Sequence, residues 1–373
     1  MMILTLQAQL LPDADAAKKL RATVERFNAA AEWLAGEAHA RKIANKFVLQ
    51  KLFYAELRKR FGLPADTAIR CLAQVVECYK RDKKKRPHFR KHAGVPFSMN
   101  RNISFKGPDR VSISTLEGRA IVPFLMGAYQ REQFGWSKGQ CDLVLRKDGK
   151  WFLLVTVDVP DGTPTPTTDF IGVDLGSVNI LVDSDEKVYP SDKVEAKRVV
   201  CFAQCRAIGK KTKNANRSQR RSCHRATIRL GIKEGRYRKD VNHCIAKELV
   251  AKAKDTKRGI ALENLKGIRD RIQFRKRQRA KMGGWAFSQL RLFVEYKAKL
   301  AGVSVVLVDP RNSSRTCSVC GHCEKANRQS QSEFECLACG HKSLADFNAA
   351  RIIRARAIVN SPIESEPQRI SVA

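Results

Sequence analysis

Two short repeats, Cys317-x-x-Cys320-Gly-His and Cys336-x-x-Cys339-Gly-His, stand out by residue type and spacing. Each sets two thiols on one tight turn. Four thiolates suit a tetrahedral Zn²⁺ site, and the fifteen residues between the halves fit zinc-ribbon spacing. Four unrelated buried cysteines would not explain the Gly-His that follows each pair. Cys323, His322 and His341 are close enough in sequence to compete as ligands, but the symmetric four-cysteine set is simpler. Three acids form a second group. Asp174 lies in the apolar run Phe170-Ile-Gly-Val-Asp-Leu-Gly, and Glu263 ends Gly259-Ile-Ala-Leu-Glu. Asp346 comes seven residues after Cys339 and opens a helical pattern that continues Asn348-Ala-Ala-Arg-Ile-Ile. A carboxylate in an apolar strand is costly unless it is paired or binds metal. Hard carboxylate oxygens brought together bind Mg²⁺ or Mn²⁺. Two such ions about 4 Å apart can activate water and stabilise the leaving oxygen in phosphodiester cleavage. Taken singly, Asp174 reads equally well as an ordinary strand-end turn acid, and for Glu263 that is the lesser alternative; the set of three carries the inference.

Composition points to the same substrate. Of 373 residues, 71 are Lys or Arg against 37 acids, a formal net charge of +34. A field of one sign this strong fits a polyanionic partner, nucleic acid, and gives nothing to an enzyme of small metabolites. No signal peptide and no 18-residue apolar run is found, so a soluble cytoplasmic protein associated with the nucleoid, and no membrane partner, is expected. Twelve cysteines in a chain this large and basic do not suggest a secreted disulfide framework; a reducing compartment is expected.

The elements that must position these residues follow from periodicity. Ile3–Leu11 alternates as a strand, and three amphipathic helices follow, the last two over about Lys46–Phe61 and Thr67–Tyr79. Lys80–Lys91 holds eight basic residues and one acid and reads as a basic loop, either touching a phosphate backbone or simply solvated. Strands return around Val111, Ile121, Asp142 and Trp151, with Asp148-Gly149 as a hairpin turn. The first strand could join these in one barrel with the helices inserted. Pro160-Asp-Gly-Thr-Pro-Thr-Pro-Thr-Thr is a linker by composition, and a domain boundary is expected there. Beyond Asp174 lie long basic helices from Cys201 to about Ala253, with twelve basic residues and one acid between Arg206 and Arg238. That imbalance favours nucleic-acid contact over a solvated face. Lys266–Lys281 adds eight basic residues and one acid, a second strand-tracking surface. Trp285 to Leu300 reads as an amphipathic helix, Val303–Asp309 as a strand, and the tail from Asn360 as disordered.

With these motifs in place, the chain resembles the TnpB family, transposon-encoded RNA-guided DNA nucleases related to the type V CRISPR effectors. Phe170-Ile-Gly-Val-Asp-Leu-Gly, Leu262-Glu-Asn-Leu-Lys-Gly-Ile and the ribbon followed by Ala345-Asp-x-Asn-Ala-Ala look like its three RuvC motifs and zinc ribbon. The resemblance is specific over Phe170–Ile353 and only architectural before that. It implies a multidomain α/β and α+β chain. A wedge-like β-barrel would span 1–12 and 95–160, with a helical recognition insert over 13–94. An RNase H-like (RuvC) nuclease domain would span 166–373, with a four-cysteine zinc ribbon inserted at 312–343. It carries Asp174, Glu263 and Asp346 over as catalytic, Mg²⁺-binding acids, and Cys317, Cys320, Cys336 and Cys339 as Zn²⁺ ligands. The implied partners are a guide RNA derived from the transposon end and a double-stranded target DNA with a short flanking motif. Two positions depart from the family pattern. Leu344 stands where an acid is frequent, and Asn312-Ser-Ser-Arg-Thr lacks a common aromatic; neither removes a ligand.

The expected function is RNA-guided DNA cleavage by two-metal-ion hydrolysis, with guide pairing specifying sequence. The alternatives are a non-cleaving RNA-guided repressor, which would need none of the three acids, and a strand-joining transposase, which nothing in the sequence indicates.

Overall fold

The computed structural model describes residues 2–82, 85–176, 178–265 and 287–360. The basic run Lys266–Lys281, Trp285 and the tail beyond Asn360 lie outside them. The chain divides into two compact units, Met1–Pro160 and Asp161–Ala373.

In the first unit, β1 (Met2–Leu10) is followed by three helices, α1 (Ala14–Ala40), α2 (Lys46–Phe61) and α3 (Ala65–Arg81). Asp13 caps α1 by accepting the Ala16 N–H, and Asn45 caps α2 in the same way. Leu20, Val24, Phe27, Ala31 and Leu34 of α1 are buried at three- and four-residue steps. Then come β2 (Val95–Phe97), β3 (Ile103–Lys106), β4 (Arg110–Thr115), β5 (Gly118–Leu125), the short α4 (Ala128–Gln133), β6 (Ser137–Leu145) and β7 (Trp151–Val159). The strands form one sheet in the order β2-β6-β7-β1-β5-β4-β3, with β1 central. Its two edges, β2 and β3, are consecutive in the chain, with only residues 98–102 between them. That short connection brings the edges together, so the sheet curls into a near-closed barrel. Ser98 N–H donates to the Asn102 side chain, and a bridge joins Met99 to Ile103.

The basic loop is neither free nor simply solvated. Arg86 and His88 pair with Glu32 of α1, and Lys91 and His92 with Glu25, two turns earlier on the same helix. Part of the positive charge is spent in latching the loop to α1.

The second unit is built on a five-stranded sheet: β8 (Phe170–Asp174), β9 (Asn179–Asp183), β10 (Val188–Pro190), β11 (Gly259–Glu263) and β12 (Val305–Val308). The order is β10-β9-β8-β11-β12. β8, β11 and β12 run parallel, while β9 is antiparallel to both its neighbours. One face packs on α6 (Arg217–Asp255) and α7 (Phe287–Ala301) through Ile171, Val173, Leu249, Leu262 and Val294. The other packs on α8 (Ala345–Asn360) through Phe170, Ala261, Val308 and Ile353. Only the last third of α6 is buried, from Asn242 onward. Its first half, with Arg217, Arg220, Arg221, Arg225 and Arg229, is exposed, and α5 (Asp192–Lys211) runs beside it.

Two close approaches fix this unit. At Gly172 of β8 a Cβ would lie 2.1 Å from the Ala350 carbonyl oxygen, so α8 lies against β8 as only glycine allows. The segment with linker composition is strapped down: Gly162 and Thr165 donate backbone hydrogen bonds to Lys299 and Gly302 at the end of α7.

Candidate metal centres of the second unit

Sheet register assembles the acids. Asp174 ends β8, and its cross-strand partner on β9 is Val182, which in turn faces Val188 on β10. On the other side Leu262 pairs with Val173, so the next step sets Glu263 level with Asp174; Glu263 itself faces Val308 of β12. Paired residues point to the same face. A row therefore runs Val308, Glu263, Asp174, Val182, Val188 beneath the start of α8, with two carboxylates at its centre. They sit at the carboxyl ends of β8 and β11, where the strand order reverses, the place where open α/β sheets hold ligands. Asp346 lies in the first turn of α8 above them, where the helix dipole favours an anion.

Asp174 feels the other two carboxyls. Asp174 is pushed up to about 8, first by burial and then by the charges of Glu263 and Asp346. The Arg328 guanidinium and the Leu175 backbone N–H pull the other way. Burial also raises Glu263, opposed by the Ser313 hydroxyl and by Arg356. Ser313 Oγ donates to Glu263 Oε1 at 2.7 Å, and Asn179 Nδ2 donates to Asp346 Oδ2 at 3.1 Å. The oxygen donors of Asp174, Glu263 and Asp346 fit a hard divalent ion.

The thiols are closer together. Cys317 and Cys339 Sγ are 3.7 Å apart, Cys320 and Cys336 Sγ 3.5 Å. Tetrahedral Zn–S bonds of about 2.3 Å imply S···S edges of about 3.8 Å, so this donor set fits zinc. Among the described residues, these four form the group of three or more metal-binding side chains whose ligand atoms all lie within 4.8 Å of one another; the carboxylates are spaced more widely. The two knuckles repeat each other bond for bond: Gly321 N–H donates to the Cys317 carbonyl and Gly340 N–H to that of Cys336. Cys317 and Cys336 N–H donate to the carbonyls of His322 and His341. Both glycines have positive φ, 76° and 72°, which is why Gly follows each second cysteine. His322 and Cys323 stand apart from the cluster; His322 meets Glu324 instead.

The ribbon is tied to the carboxylate row on both sides. Ser313 precedes it. Asn348 of α8 donates to the Thr316 carbonyl and accepts from Ser318 N–H. Arg328, between the knuckles, is held by the Ser330 and Gln331 carbonyls and lines a cleft of about 280 Å³ with Asp174 and Asp346. Sequence reading passed over Arg328, one basic residue among 71. It also passed over Ser313 and Asn179, whose polar side chains carry no motif. Asp309, left out of the acid set, lies near enough to Glu263 to raise it.

Residues 287–353 match the family model described as Cas12f1-like, TNB domain. The chain is 30% identical over 226 residues to a CRISPR-associated endodeoxyribonuclease Cas12f1 of Syntrophomonas palmitatica, covering 56% of this chain and 43% of that one. It is 29% identical over 289 residues to the putative RNA-guided DNA endonuclease InsQ of Escherichia coli K12, covering 72% and 69%. It thus spans about half the length of the first two curated relatives, 43% and 50%. In fold it matches a chain of the Cas12f1-sgRNA-target DNA complex at a TM-score of 0.63 and 14% identity, over 95% of this chain and 98% of that one.

Proposed function

Because this chain belongs to the TnpB family, we propose that it is an RNA-guided, divalent-metal-dependent DNA endonuclease whose centre is Asp174, Glu263 and Asp346. The observation that carries this reading is the cross-strand row in which β8 and β11 set the half-buried Asp174 and the buried Glu263 side by side beneath Asp346. The strand order, with one antiparallel strand beside a parallel core, supports an RNase H-like (RuvC) assignment for 166–373. The near-closed sheet of the first unit supports the wedge-like barrel over 1–12 and 95–160, with the helices of 13–94 as its insert.

Mg²⁺ or Mn²⁺ held by the three carboxylates would supply an activated water and stabilise the leaving oxygen. The protein's part is placement. The sheet fixes Asp174 and Glu263, and Ser313 orients the Glu263 carboxylate. Asn179 orients Asp346, and Arg328 offers a guanidinium to the phosphate. Zn²⁺ on Cys317, Cys320, Cys336 and Cys339 is structural, holding Arg328 over the cleft. The exposed arginines of α6 track nucleic-acid backbone, and a transposon-end RNA supplies sequence recognition. The test is a plasmid carrying the target and its flanking motif, incubated with Mg²⁺ and protein purified with its co-expressed RNA. Cutting that needs RNA, Mg²⁺ and Asp174 is expected. Tight binding with intact plasmid would favour a repressor, and joined ends a transposase.

A further inference from the structure

The cleft beside the carboxylates is two-sided in chemistry. Its lining includes Asp174, Asp346 and Arg328 with Gln331 and Ser332, and beside them Val178, Val182, Val188, Leu344 and Phe347. Neither half is accidental. Val182 and Val188 are the next two members of the cross-strand row that starts at Asp174, so the apolar surface begins one strand spacing, about 4.8 Å, from that carboxylate. Phe347 follows Asp346 directly, and Leu344 precedes it by two residues. Val178, Val188 and Leu344 are 51%, 39% and 51% exposed. This apolar wall is open to solvent and lies beside a charged centre, where a purely hydrolytic site for phosphate would need none.

A nucleotide is the ligand that matches both kinds of lining at once, with an anionic phosphate joined to a flat apolar ring. We propose that Phe347, Leu344 and Val188 form a base-binding subsite, which seats the nucleobase beside the scissile phosphate; the proposal rests on the endonuclease reading above. A base stacked and paired in a duplex has both faces and its edge occupied. To lie on this wall it must be unpaired and unstacked. The subsite thus makes the local substrate a single strand, splayed open at the cut. It also makes phosphate position depend on base contact, because a base resting on the wall sets the register of its own phosphate at the row. Every base has an apolar face, so the contact discriminates base from no base without choosing among sequences.

The test uses the full chain with its RNA and single-stranded targets carrying one abasic nucleotide, moved through the positions around the cut. The wild type is expected to slow by about five- to a hundredfold at one position and little elsewhere, the range given by loss of one base–aromatic stack. Phe347→Ala should slow the intact strand by a similar factor and lose its sensitivity to the abasic position, while Phe347→Tyr keeps both. Leu344→Ser and Val188→Ser change exposed residues and guard against misfolding; each should reduce the abasic penalty without lowering the melting temperature. A second readout needs no cutting. With Asp174→Ala, 2-aminopurine at the sensitive position should lose fluorescence on binding, and Phe347→Ala in that background should restore it. Equal rates on intact and abasic strands at every position, with cutting retained, would overturn the subsite alone. No cutting of the intact single strand by a complex that cuts the plasmid would also overturn the subsite, and no cutting of either substrate would overturn the endonuclease reading and the subsite with it.

Discussion

The four thiols and the three carboxylates are both sets of side chains able to bind cations, and the chain assembles them by opposite means. The thiols come from 23 consecutive residues, Cys317 to Cys339, and local turns aim them. Each knuckle closes on its own backbone, and the sulfurs already approach the edges of a tetrahedron. The carboxylates come from positions 174, 263 and 346 and meet only because β8 and β11 pair in parallel register and α8 crosses above. The first group is closed and satisfied by turns. The second is held by the whole sheet, stays open to a cleft and carries mutual repulsion. A structural ion suits the first arrangement, and an exchangeable one that must meet substrate suits the second.

Removing a ligand should separate the two centres most sharply. Asp174→Asn is expected to cut target DNA on the order of a thousandfold more slowly or worse, yet to melt higher than wild type at pH 8 without Mg²⁺. The sign follows from linkage. The folded Asp174 holds its proton up to about 8 while the unfolded one releases it near 4. This group's contribution therefore falls as pH rises between those values, and the stability gap should close toward pH 4. Equal melting at both pH values would break the contrast. Cys336→Ser is expected to do the reverse: bound zinc falls below one ion per chain and melting drops by more than about 5 °C, measured by metal analysis and calorimetry. Gly172→Ala would force α8 off β8 and should destabilise by about 1–3 kcal/mol, displacing Asp346 while zinc content stays at the wild-type level. Ser313→Ala should have the smallest effect, raising the Mg²⁺ needed for half-maximal cutting by about tenfold with melting nearly unchanged. A larger loss of zinc than of cutting in that variant would mean that the serine serves the ribbon instead.

The contrast also decides what could be read from sequence. The knuckles were legible because spacing is their geometry. Asp174 and Glu263 were legible as acids ending apolar runs. Their convergence was not, because strand register is a property of distant pairings. Arg328 was hidden by its own abundance, and Ser313 by the ordinary composition of the loop before the ribbon. The three-residue β2 and β10 and the four-residue β3 are too short to leave a period. β10 also contains Pro190, a residue type that strand interiors disfavour. α5 begins at Asp192, nine residues before the basic pattern made it visible, since Asp192 and Glu195 offset Lys193, Lys197 and Arg198 in its first turns. For the loop after α3, composition showed the charge but not the partners, because Glu25 and Glu32 lie more than fifty residues upstream.

The five-residue join between β2 and β3 has a consequence beyond shape. A sheet whose first and last strands are drawn together by so short a join leaves little room for a foreign strand at either edge. Contacts made by the first unit then fall chiefly to side chains on its outer wall and to the helices that interrupt it.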